Sequence, residues 1–266
     1  MPFIGVFDSG VGGLTVLRAL RARLPDVALR YVADSAHAPY GPRSSEFIAQ
    51  RSLAIAEFLI DEGAALLVVA CNTATAHAVN ALRERWPLLP VVGIEPGIKP
   101  AVAASRNGKV GVMATTATLA SARYQELLRA HAQGCQIISQ ACPGLVDLIE
   151  TGQLDQPAIR EKIQQCCAPL REAGVDTVLL GCTHYPFVQQ QIQAELGAAV
   201  SLLNIEDAVA RQAQKRWQEA GLASTPIAPS TAMTQPLIYS TGKTDAVSRM
   251  ASLALGANLR AAPIEV

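Results

Sequence analysis

Residues 66–79 have the sequence LLVVACNTATAHAV, in which a short run of branched apolar residues ends at Cys71. Such a run is typical of a strand that is buried on both faces of a parallel sheet. A second stretch, DTVLLGCTHYPFV at 176–188, has the same pattern around Cys182. Together they predict an α/β protein in which each cysteine lies at the carboxyl end of a strand and just before a helix.

Short apolar runs and amphipathic segments alternate along the rest of the chain. Residues 45–62 are predicted to form a helix, because their apolar side chains fall on one broad face and Gly63 follows. A second apolar helical stripe consists of Leu14, Leu17, Leu20 and Leu24 and ends at Pro25. Strands are predicted at 3–7, 28–33, 66–70, 90–93, 109–114, 135–139, 175–180, 200–203 and 236–239.

The chain also contains two similar halves. IGVFDSG at 4–10 and VGVMATT at 110–116 are both a strand followed by small or hydroxyl residues, and each half brings one of the two strand-end cysteines. We therefore expect two pseudo-symmetric domains, residues 1–97 with 208–266 and residues 98–207, each a mostly parallel sheet covered by helices. A linker is predicted in GIEPGIKPAV at 93–102, where Pro96 and Pro100 interrupt regular structure, and an irregular connection is predicted at 223–236.

Composition limits the classes of partner. The chain has 266 residues, and its 22 basic and 22 acidic side chains cancel, so nucleic acid is an unlikely partner and a small molecule is favoured. No signal-like opening and no apolar run of membrane-spanning length occurs, which predicts a soluble cytoplasmic protein without membrane contact. The six cysteines form no CxxC pair, so neither a zinc ribbon nor another metal site is expected.

The paired cysteines suggest acid–base chemistry. A thiol at a helix N-terminus meets free N–H groups and partial positive charge, which stabilise a thiolate. Polar residues follow each thiol, Asn72 and Thr73 in the first case and Thr183 and His184 in the second. Two opposed bases can remove a proton from one face of a carbon and return one to the other. The alternative for either cysteine alone is a small buried hydrophobic residue.

Residues in neighbouring motifs are further candidates for catalysis or binding, and each also has a purely structural interpretation. Asp8 and His184 are placed to assist one thiol each, although Asp8 could instead cap a helix and His184 could be a core histidine. The glycine-rich DSGVGG at 8–13 matches neither phosphate-loop spacing, and Asp8 puts negative charge where a phosphate would bind. Nucleotide binding is therefore disfavoured.

Two further loops could contribute to a site. DSAHAPYGPRS at 34–44 follows the second strand and could close over a ligand with Tyr40 and the Gly41 backbone, whereas His37 is expected at the surface. CPGLVDLIE at 142–150 carries Glu150, which could attract a substrate ammonium or could be an exposed helix-end residue. Cys135, Cys166 and Cys167 have no polar constellation around them and are interpreted as structural.

Five motifs in order, FDSGVGGLTV, PYG, ACNTAT, GVMATTATL and LLGCTHYPF, resemble those of the glutamate racemase family, within the aspartate/glutamate racemase superfamily. The resemblance covers residues 3–188, and the paired CNT and CTH elements are more specific than any single motif. YSTG at 239–242 is similar but less telling. Relatives often have an aspartate followed by small residues where this chain has Asn204, Ile205, Glu206 and Asp207.

The resemblance implies a cofactor-independent isomerase that interconverts L- and D-glutamate and supplies the D-isomer for peptidoglycan, and hence for cell wall biogenesis and cell shape. It places the active site in the cleft between the two α/β domains. It implies that Cys71 and Cys182 are the two acid/base residues, Cys71 acting on the D-isomer and Cys182 on the L-isomer, with Asp8 and His184 assisting. Glu150 matches an acidic position near the amino group or His184. The implied substrate-binding residues are Ser9, Tyr40, Gly41, Asn72, Thr73, Thr115, Thr118, Glu150 and Thr183.

Other functions remain open at this point. An aspartate-specific relative differs by one methylene in its substrate, a difference worth only about 1 to 3 kcal/mol in a pocket. A non-catalytic dicarboxylate-binding protein, or an interaction protein acting on a macromolecular partner as some glutamate racemases do on DNA gyrase, would use the same site differently. A pyridoxal-phosphate racemase is disfavoured because no lysine has a convincing Schiff-base setting. A homodimer is possible.

Overall fold

The computed structural model describes residues 2–222 and 237–266. The described chain divides into two compact units, Met1–Ile94 with Glu206–Val266 and Glu95–Ile205. The irregular connection predicted at 223–236 lies outside the described residues.

Strands and helices alternate along the chain. The first stretch contains β1 (Phe3–Asp8), α1 (Leu14–Arg23), β2 (Leu29–Ala33), α2 (Ser45–Asp61), β3 (Ala64–Val69), α3 (Asn72–Arg85) and β4 (Val91–Gly93). The second unit contains α4 (Ile98–Ala104), β5 (Lys109–Ala114), α5 (Thr116–Ala120), α6 (Ala122–His131), β6 (Gln136–Ala141), α7 (Leu145–Glu150), α8 (Pro157–Ala173), β7 (Thr177–Leu180), a 3-10 turn (Tyr185–Val188), α9 (Gln189–Leu196) and β8 (Ser201–Leu203). The chain then returns to the first unit with α10 (Glu206–Glu219), β9 (Leu237–Ser240), α11 (Thr244–Leu255) and β10 (Ala261–Pro263).

The first unit is built on a six-stranded parallel sheet in the order β10-β9-β2-β1-β3-β4. All six residues of β1 are buried, as the continuous apolar pattern predicts for a central parallel strand. Helices α1, α2, α3 and α10 pack on the sheet. Backbone bonds join the strand ends, with Asp34 N donating to Asp8 O at 3.0 Å and Ala70 N donating to Phe7 O at 2.8 Å. The loops after β1, β2 and β3 therefore emerge at one edge.

The second unit is built on a four-stranded parallel sheet in the order β6-β5-β7-β8. Gly181 N donates to Met113 O at 2.8 Å and Cys142 N donates to Ala114 O at 3.1 Å, so the residues after β5, β6 and β7 lie side by side. A Cβ atom at position 181 would lie 3.0 Å from that Met113 oxygen, which explains why glycine precedes the second strand-end thiol.

The predicted α/β class with parallel sheets covered by helices is confirmed, and each predicted strand overlaps one in the structure. The strand β10 was not predicted. It has three residues, it includes Pro263 and it lies at a sheet edge, where a missing N–H is tolerated. The second half of the predicted linker is wrong, because Pro100 lies inside α4. In the first turn of a helix the N–H groups have no intrahelical acceptor, so proline costs little there.

No helix in the ranges 2–222 and 237–266 is both long enough and apolar enough to cross a membrane.

Candidate active site

In the first unit, a chain of hydrogen bonds connects Cys71 to a buried carboxylate. The Cys71 thiol donates to Ser9 Oγ at 3.7 Å, and the Ser9 hydroxyl donates to Asp8 Oδ1 at 3.1 Å. Gly10 N also donates to Asp8 Oδ1, at 2.8 Å. Asp8 is fully buried and Cys71 is 5% exposed. The Ser9 hydroxyl thus connects a thiol to a carboxylate that backbone bonding holds in place.

The same thiol is the N-cap of α3. Cys71 has extended backbone angles, and its sulfur accepts a hydrogen bond from Ala74 N at 3.4 Å. Because the free N–H groups of a helix N-terminus face the sulfur, they stabilise negative charge on it. The pattern of strand, cysteine and helix therefore produces the local geometry inferred from the sequence.

The first residues of α3 point to a ligand. Asn72 and Thr73 are nearly completely buried. Neither the side-chain oxygen nor the side-chain nitrogen of Asn72 has a hydrogen-bond partner among the residues that the structure describes. Buried polar groups in native proteins are normally satisfied, so this amide is well suited to a polar ligand group.

Glycine packing shapes the loop after β1. A Cβ atom at Gly13 would lie 2.7 Å from Asp8 Cβ and 2.9 Å from Ala70 Cβ. The hydroxyl of the buried Tyr31 donates to Gly10 O at 2.6 Å. Gly13 is itself the N-cap of α1, so Asp8 does not cap that helix. The glycines of DSGVGG thus allow close packing behind Asp8.

Asp34 organises the loop that carries Tyr40 and Gly41. The Tyr40 hydroxyl donates to Asp34 Oδ2 at 2.6 Å. Arg51 donates to both carboxylate oxygens, from Nε at 3.0 Å and from Nη2 at 2.9 Å. Burial of Asp34 favours its neutral form, but hydrogen bonds from Arg51, Tyr40, His37 and Thr241 hold its pKa below the usual value.

Tyr40 remains a neutral donor next to the first thiol. Burial raises its pKa far above the ordinary value, and the negative charges of Asp34 and Cys71 raise the pKa further. Tyr40 and Cys71 also belong to one buried apolar cluster. His37 is 32% exposed at its side chain, with Nδ1 3.0 Å from Asp34 Oδ1, and its ring contacts Phe47.

In the second unit, Cys182 has different surroundings. The prediction that it directly precedes a helix is wrong, because a turn at 183–184 and the 3-10 turn Tyr185–Val188 separate it from α9. The His184 ring stands between the thiol and a carboxylate, with Nδ1 3.7 Å from Cys182 Sγ and Nε2 2.5 Å from Glu150 Oε1. Burial of His184 opposes its protonation, but the hydrogen bonds to Cys182 and Glu150 raise its pKa well above the ordinary value. The Glu150 side chain is 16% exposed and ends α7 against this ring.

Hydroxyl groups line the neighbouring strand end. Thr115 caps α5 by accepting a hydrogen bond from Thr118 N at 3.2 Å, and its hydroxyl donates to Thr118 Oγ1 at 2.9 Å. Thr118 and Thr183 are both buried. Since β5 and β7 are adjacent and parallel, Thr115 and Cys182 follow neighbouring strand ends.

The other four cysteines, Cys135, Cys142, Cys166 and Cys167, are not partners in the hydrogen bonds of Cys71 and Cys182 described above. The hydrogen bond between the Cys142 and Cys166 sulfurs, together with burial, raises the pKa of Cys142, and the same contact lowers the pKa of Cys166. Burial raises the pKa of Cys167 to about 12. None of the six cysteines, all of which lie within the described residues, forms a disulfide. Across residues 2–222 and 237–266, no group of three His, Cys, Asp or Glu side chains could hold a metal ion.

The structure therefore groups the sequence candidates by unit. The first unit holds Asp8, Ser9, Tyr40, Gly41, Cys71, Asn72 and Thr73, and the second holds Thr115, Thr118, Glu150, Cys182, Thr183 and His184. Sequence reasoning missed Asp34, Arg51 and Thr241, which support Tyr40. Two features of the sequence could have indicated these residues, namely a polar residue directly after β2 and the motif YSTG, to which no role was assigned.

Comparisons with known proteins agree on one family. The family described as Asp/Glu/Hydantoin racemase matches residues 14–213. The glutamate racemase of Ectopseudomonas mendocina is 52% identical over 228 residues, which cover 86% of this chain and 87% of that protein. The crystal structure of glutamate racemase isoform RacE1 from Bacillus anthracis has a TM-score of 0.86 at 32% identity, covering 100% of this chain and 98% of that one. Escherichia coli glutamate racemase, solved with L-glutamate and the activator UDP-MurNAc-ala, has a TM-score of 0.83 at 32% identity, covering 98% and 96%.

Proposed function

The chain belongs to the Asp/Glu/Hydantoin racemase family, and on that premise we propose that it is a glutamate racemase that interconverts L- and D-glutamate without a cofactor. The identity to a named glutamate racemase, 52% over most of both chains, supports glutamate as the substrate. The observation that carries the chemistry is that each unit has one strand-end thiol with its own polar partner, Ser9 and Asp8 for Cys71 and His184 and Glu150 for Cys182.

The proposed reaction uses the two thiols as base and acid in turn. One thiolate takes the α-proton of glutamate, the C–H bond breaks, and its electron pair passes toward the α-carboxylate. The other sulfur then gives its proton to the opposite face of the α-carbon, so the stereocentre is inverted and one thiol and one thiolate have exchanged roles. The mechanism requires both sulfurs to reach one α-carbon.

Each base has a distinct supporting group. Cys71 deprotonates the D-isomer, and the Ser9 hydroxyl and the Asp8 carboxylate receive and return its proton. Cys182 deprotonates the L-isomer, and the charged His184 ring stabilises the sulfur after proton loss. This assignment of hand follows the family resemblance.

The substrate is held through its carboxylates and its amino group. Hydroxyl and amide groups at helix N-termini suit carboxylate oxygens, because they donate hydrogen bonds where the helix carries partial positive charge. Glu150 is acidic and serves the ammonium side of the substrate or the His184 ring. The proposed substrate contacts are Ser9, Tyr40, Gly41, Asn72, Thr73, Thr115, Thr118, Glu150 and Thr183.

The test is racemisation without additives. Purified full-length protein is incubated with L-glutamate in buffered deuterium oxide, with no cofactor, and the optical activity of glutamate and its α-deuterium content are followed. We expect the circular dichroism signal to decay to zero while deuterium enters the α-position. Binding of glutamate without either change would support the non-catalytic alternative. A parallel incubation with L-aspartate separates the aspartate-specific alternative, and added pyridoxal phosphate should change nothing.

We further infer that the enzyme acts in the cytoplasm and supplies D-glutamate for peptidoglycan. The expected consequence is that depletion of the protein stops growth and alters cell shape in its host, and that external D-glutamate restores both. Restoration by D-aspartate instead would contradict this role.

A homodimer in solution is also proposed, and light scattering after size-exclusion chromatography tests it.

A further inference from the structure

We propose that Thr241 is a positioning residue for the substrate site, because its hydroxyl fixes Asp34 and thereby the loop that presents Tyr40 and Gly41. The inference rests on the proposed function, since Tyr40 and Gly41 are substrate contacts there. It assigns a role to the motif YSTG, whose residues are far from the other motifs in sequence.

Sheet topology brings this motif to the site. β9 pairs in parallel with β2, with Ser240 in register with Ala33. Thr241 N donates to Ala33 O at 3.1 Å, so the parallel pairing continues one residue beyond both strands. The turn at 240–242 consequently lies beside the start of the loop at 34–36.

Side chains tie the two segments together. The Thr241 hydroxyl donates to Asp34 Oδ1 at 2.8 Å and accepts from Ala36 N at 3.2 Å. Next to it, Ser35 Oγ and Ser240 Oγ are 2.6 Å apart. The Thr241 hydroxyl thus connects the Asp34 carboxylate to the backbone of the same loop at Ala36. The hydrogen bond between Ser35 and Ser240 joins the same two segments.

Gly242 allows this close approach. Its N–H donates to Ser35 Oγ at 3.2 Å. A Cβ atom at position 242 would lie 2.8 Å from Ala36 N and 2.9 Å from Ser35 Oγ. Because one of these neighbours is backbone, any larger residue would displace the loop.

Asp34 transmits the position to the substrate loop. Its side chain is fully buried. Oδ1 accepts from the Thr241 hydroxyl and from Arg51 Nη2 and lies 3.0 Å from His37 Nδ1, while Oδ2 accepts from the Tyr40 hydroxyl at 2.6 Å and from Arg51 Nε. Loss of the Thr241 donor removes one of the constraints on carboxylate rotation, and rotation carries the Tyr40 hydroxyl with it. Arg51 still neutralises the charge, so the fold is expected to persist.

Three variants test the role. Thr241→Val keeps the side-chain shape but loses the hydroxyl, and we expect the KM for glutamate to rise roughly three- to tenfold while kcat changes by less than about twofold, because the loop contacts substrate away from the reacting carbon. Thr241→Ser restores the hydroxyl and should return KM to the wild-type range. Gly242→Ala should raise KM at least as much as Thr241→Val, since it displaces the loop directly.

Thermal unfolding and glutamate binding by calorimetry are measured for every variant. Wild-type KM in Thr241→Val, a lowered Tm with unchanged KM, or a Thr241→Ser variant as impaired as Thr241→Val would each overturn the positioning role. Failure of the wild-type chain to racemise glutamate would instead contradict the proposed function. In that case the calorimetric affinities of wild type, Thr241→Val and Thr241→Ser still decide whether Thr241 shapes the ligand site.

Discussion

His184 and Glu150 form a short, partly buried contact, with 2.5 Å between Nε2 and Oε1. The opposite ring nitrogen lies 3.7 Å from Cys182 Sγ. Although burial opposes a charge on the ring, its two hydrogen-bonded neighbours raise the pKa of His184 well above the ordinary value. Positive charge is therefore favoured beside Cys182 Sγ, where the proposed mechanism has the sulfur lose its proton, whereas the corresponding neighbour of Cys71 is the neutral Ser9 hydroxyl.

The first prediction concerns this contact. Glu150→Gln removes the negative charge that favours imidazolium, so the pKa of His184 should fall toward the ordinary value and kcat should decrease about tenfold to a hundredfold. Ring titration by NMR and steady-state kinetics measure the two effects. Glu161→Gln, at an exposed position on α8, serves as the charge-matched control and should leave both unchanged. An unaltered His184 titration in Glu150→Gln would contradict the role of Glu150.

The same contact fixes the sign of a pH effect on stability. Because the folded-state pKa of His184 is raised, protonation of the ring stabilises the folded protein. This contribution to the free energy of unfolding is fully present below the unfolded-state pKa of about 6.5, and it is lost as the pH rises through the folded-state pKa. The difference in unfolding free energy between wild type and Glu150→Gln should therefore be larger near pH 6 than at alkaline pH. Denaturant unfolding at several pH values measures it, and a difference that grows with pH would contradict this sign.

The buried pair of Asp34 and Arg51 gives a further prediction. Arg51→Gln leaves a buried carboxylate without its cation and should destabilise the fold by about 3 kcal/mol at neutral pH. Because the folded-state pKa of Asp34 is lowered, this contribution is present above the unfolded value of about 3.9 and is lost as pH falls through the folded-state pKa. Lys215→Gln, which breaks an exposed pair with Glu219, should change stability little. Equal effects of the two variants would contradict the buried-pair interpretation.

Two glycine variants separate packing from backbone strain. Gly13→Ala has an allowed backbone but collides with Asp8 and Ala70, so it should destabilise by about 1 to 3 kcal/mol and also reduce kcat by displacing Asp8. Gly134→Ala has open space but a φ of +82°, so it should cost about 1 kcal/mol and leave kcat unchanged. Full activity of Gly13→Ala would show that the loop after β1 tolerates displacement.

Sequence patterns predicted the strand ends well, because parallel strands buried on both faces have a continuous apolar pattern. Cys71 and Cys182 stand out for that reason, since each ends such a pattern, although only Cys71 directly precedes a helix. The pairing of β9 with β2 could not be predicted in the same way, because the periodicity of a strand does not identify its neighbours. The contact between Asp34 and Thr241 depends on that pairing and was therefore missed.

Predictions from local sequence were also wrong or incomplete where the position of a residue in the folded chain decides its role. The prediction that Pro100 interrupts regular structure is wrong, because proline in the first turn of α4 removes no intrahelical hydrogen bond. The contact of Glu150 with His184 depends on the packing of α7 near the end of β7, which sequence spacing does not reveal. The sequence alone is therefore compatible with both alternatives for Glu150.

Substitution of each thiol gives the next prediction. Cys71→Ser and Cys182→Ser should each lower racemisation by about a thousandfold or more, since one of the two bases is lost. Cys182→Ser should still exchange the α-proton of D-glutamate with solvent, and Cys71→Ser that of L-glutamate. Cys135→Ser, at a half-buried free thiol, should remain active. Full racemisation by both single variants would eliminate the two-thiol mechanism.

The most direct measurement follows early racemisation of L-glutamate in deuterium oxide, with the α-deuterium content of the remaining L-glutamate and of the newly formed D-glutamate determined separately. If Cys182 is the thiolate that takes the α-hydrogen and Cys71 is the thiol that donates deuterium from solvent, the D-glutamate should be almost fully deuterated while the remaining L-glutamate keeps its α-hydrogen. Product that retains the original hydrogen, or deuterium that enters both isomers at the same rate, would show that a single base acts on both faces.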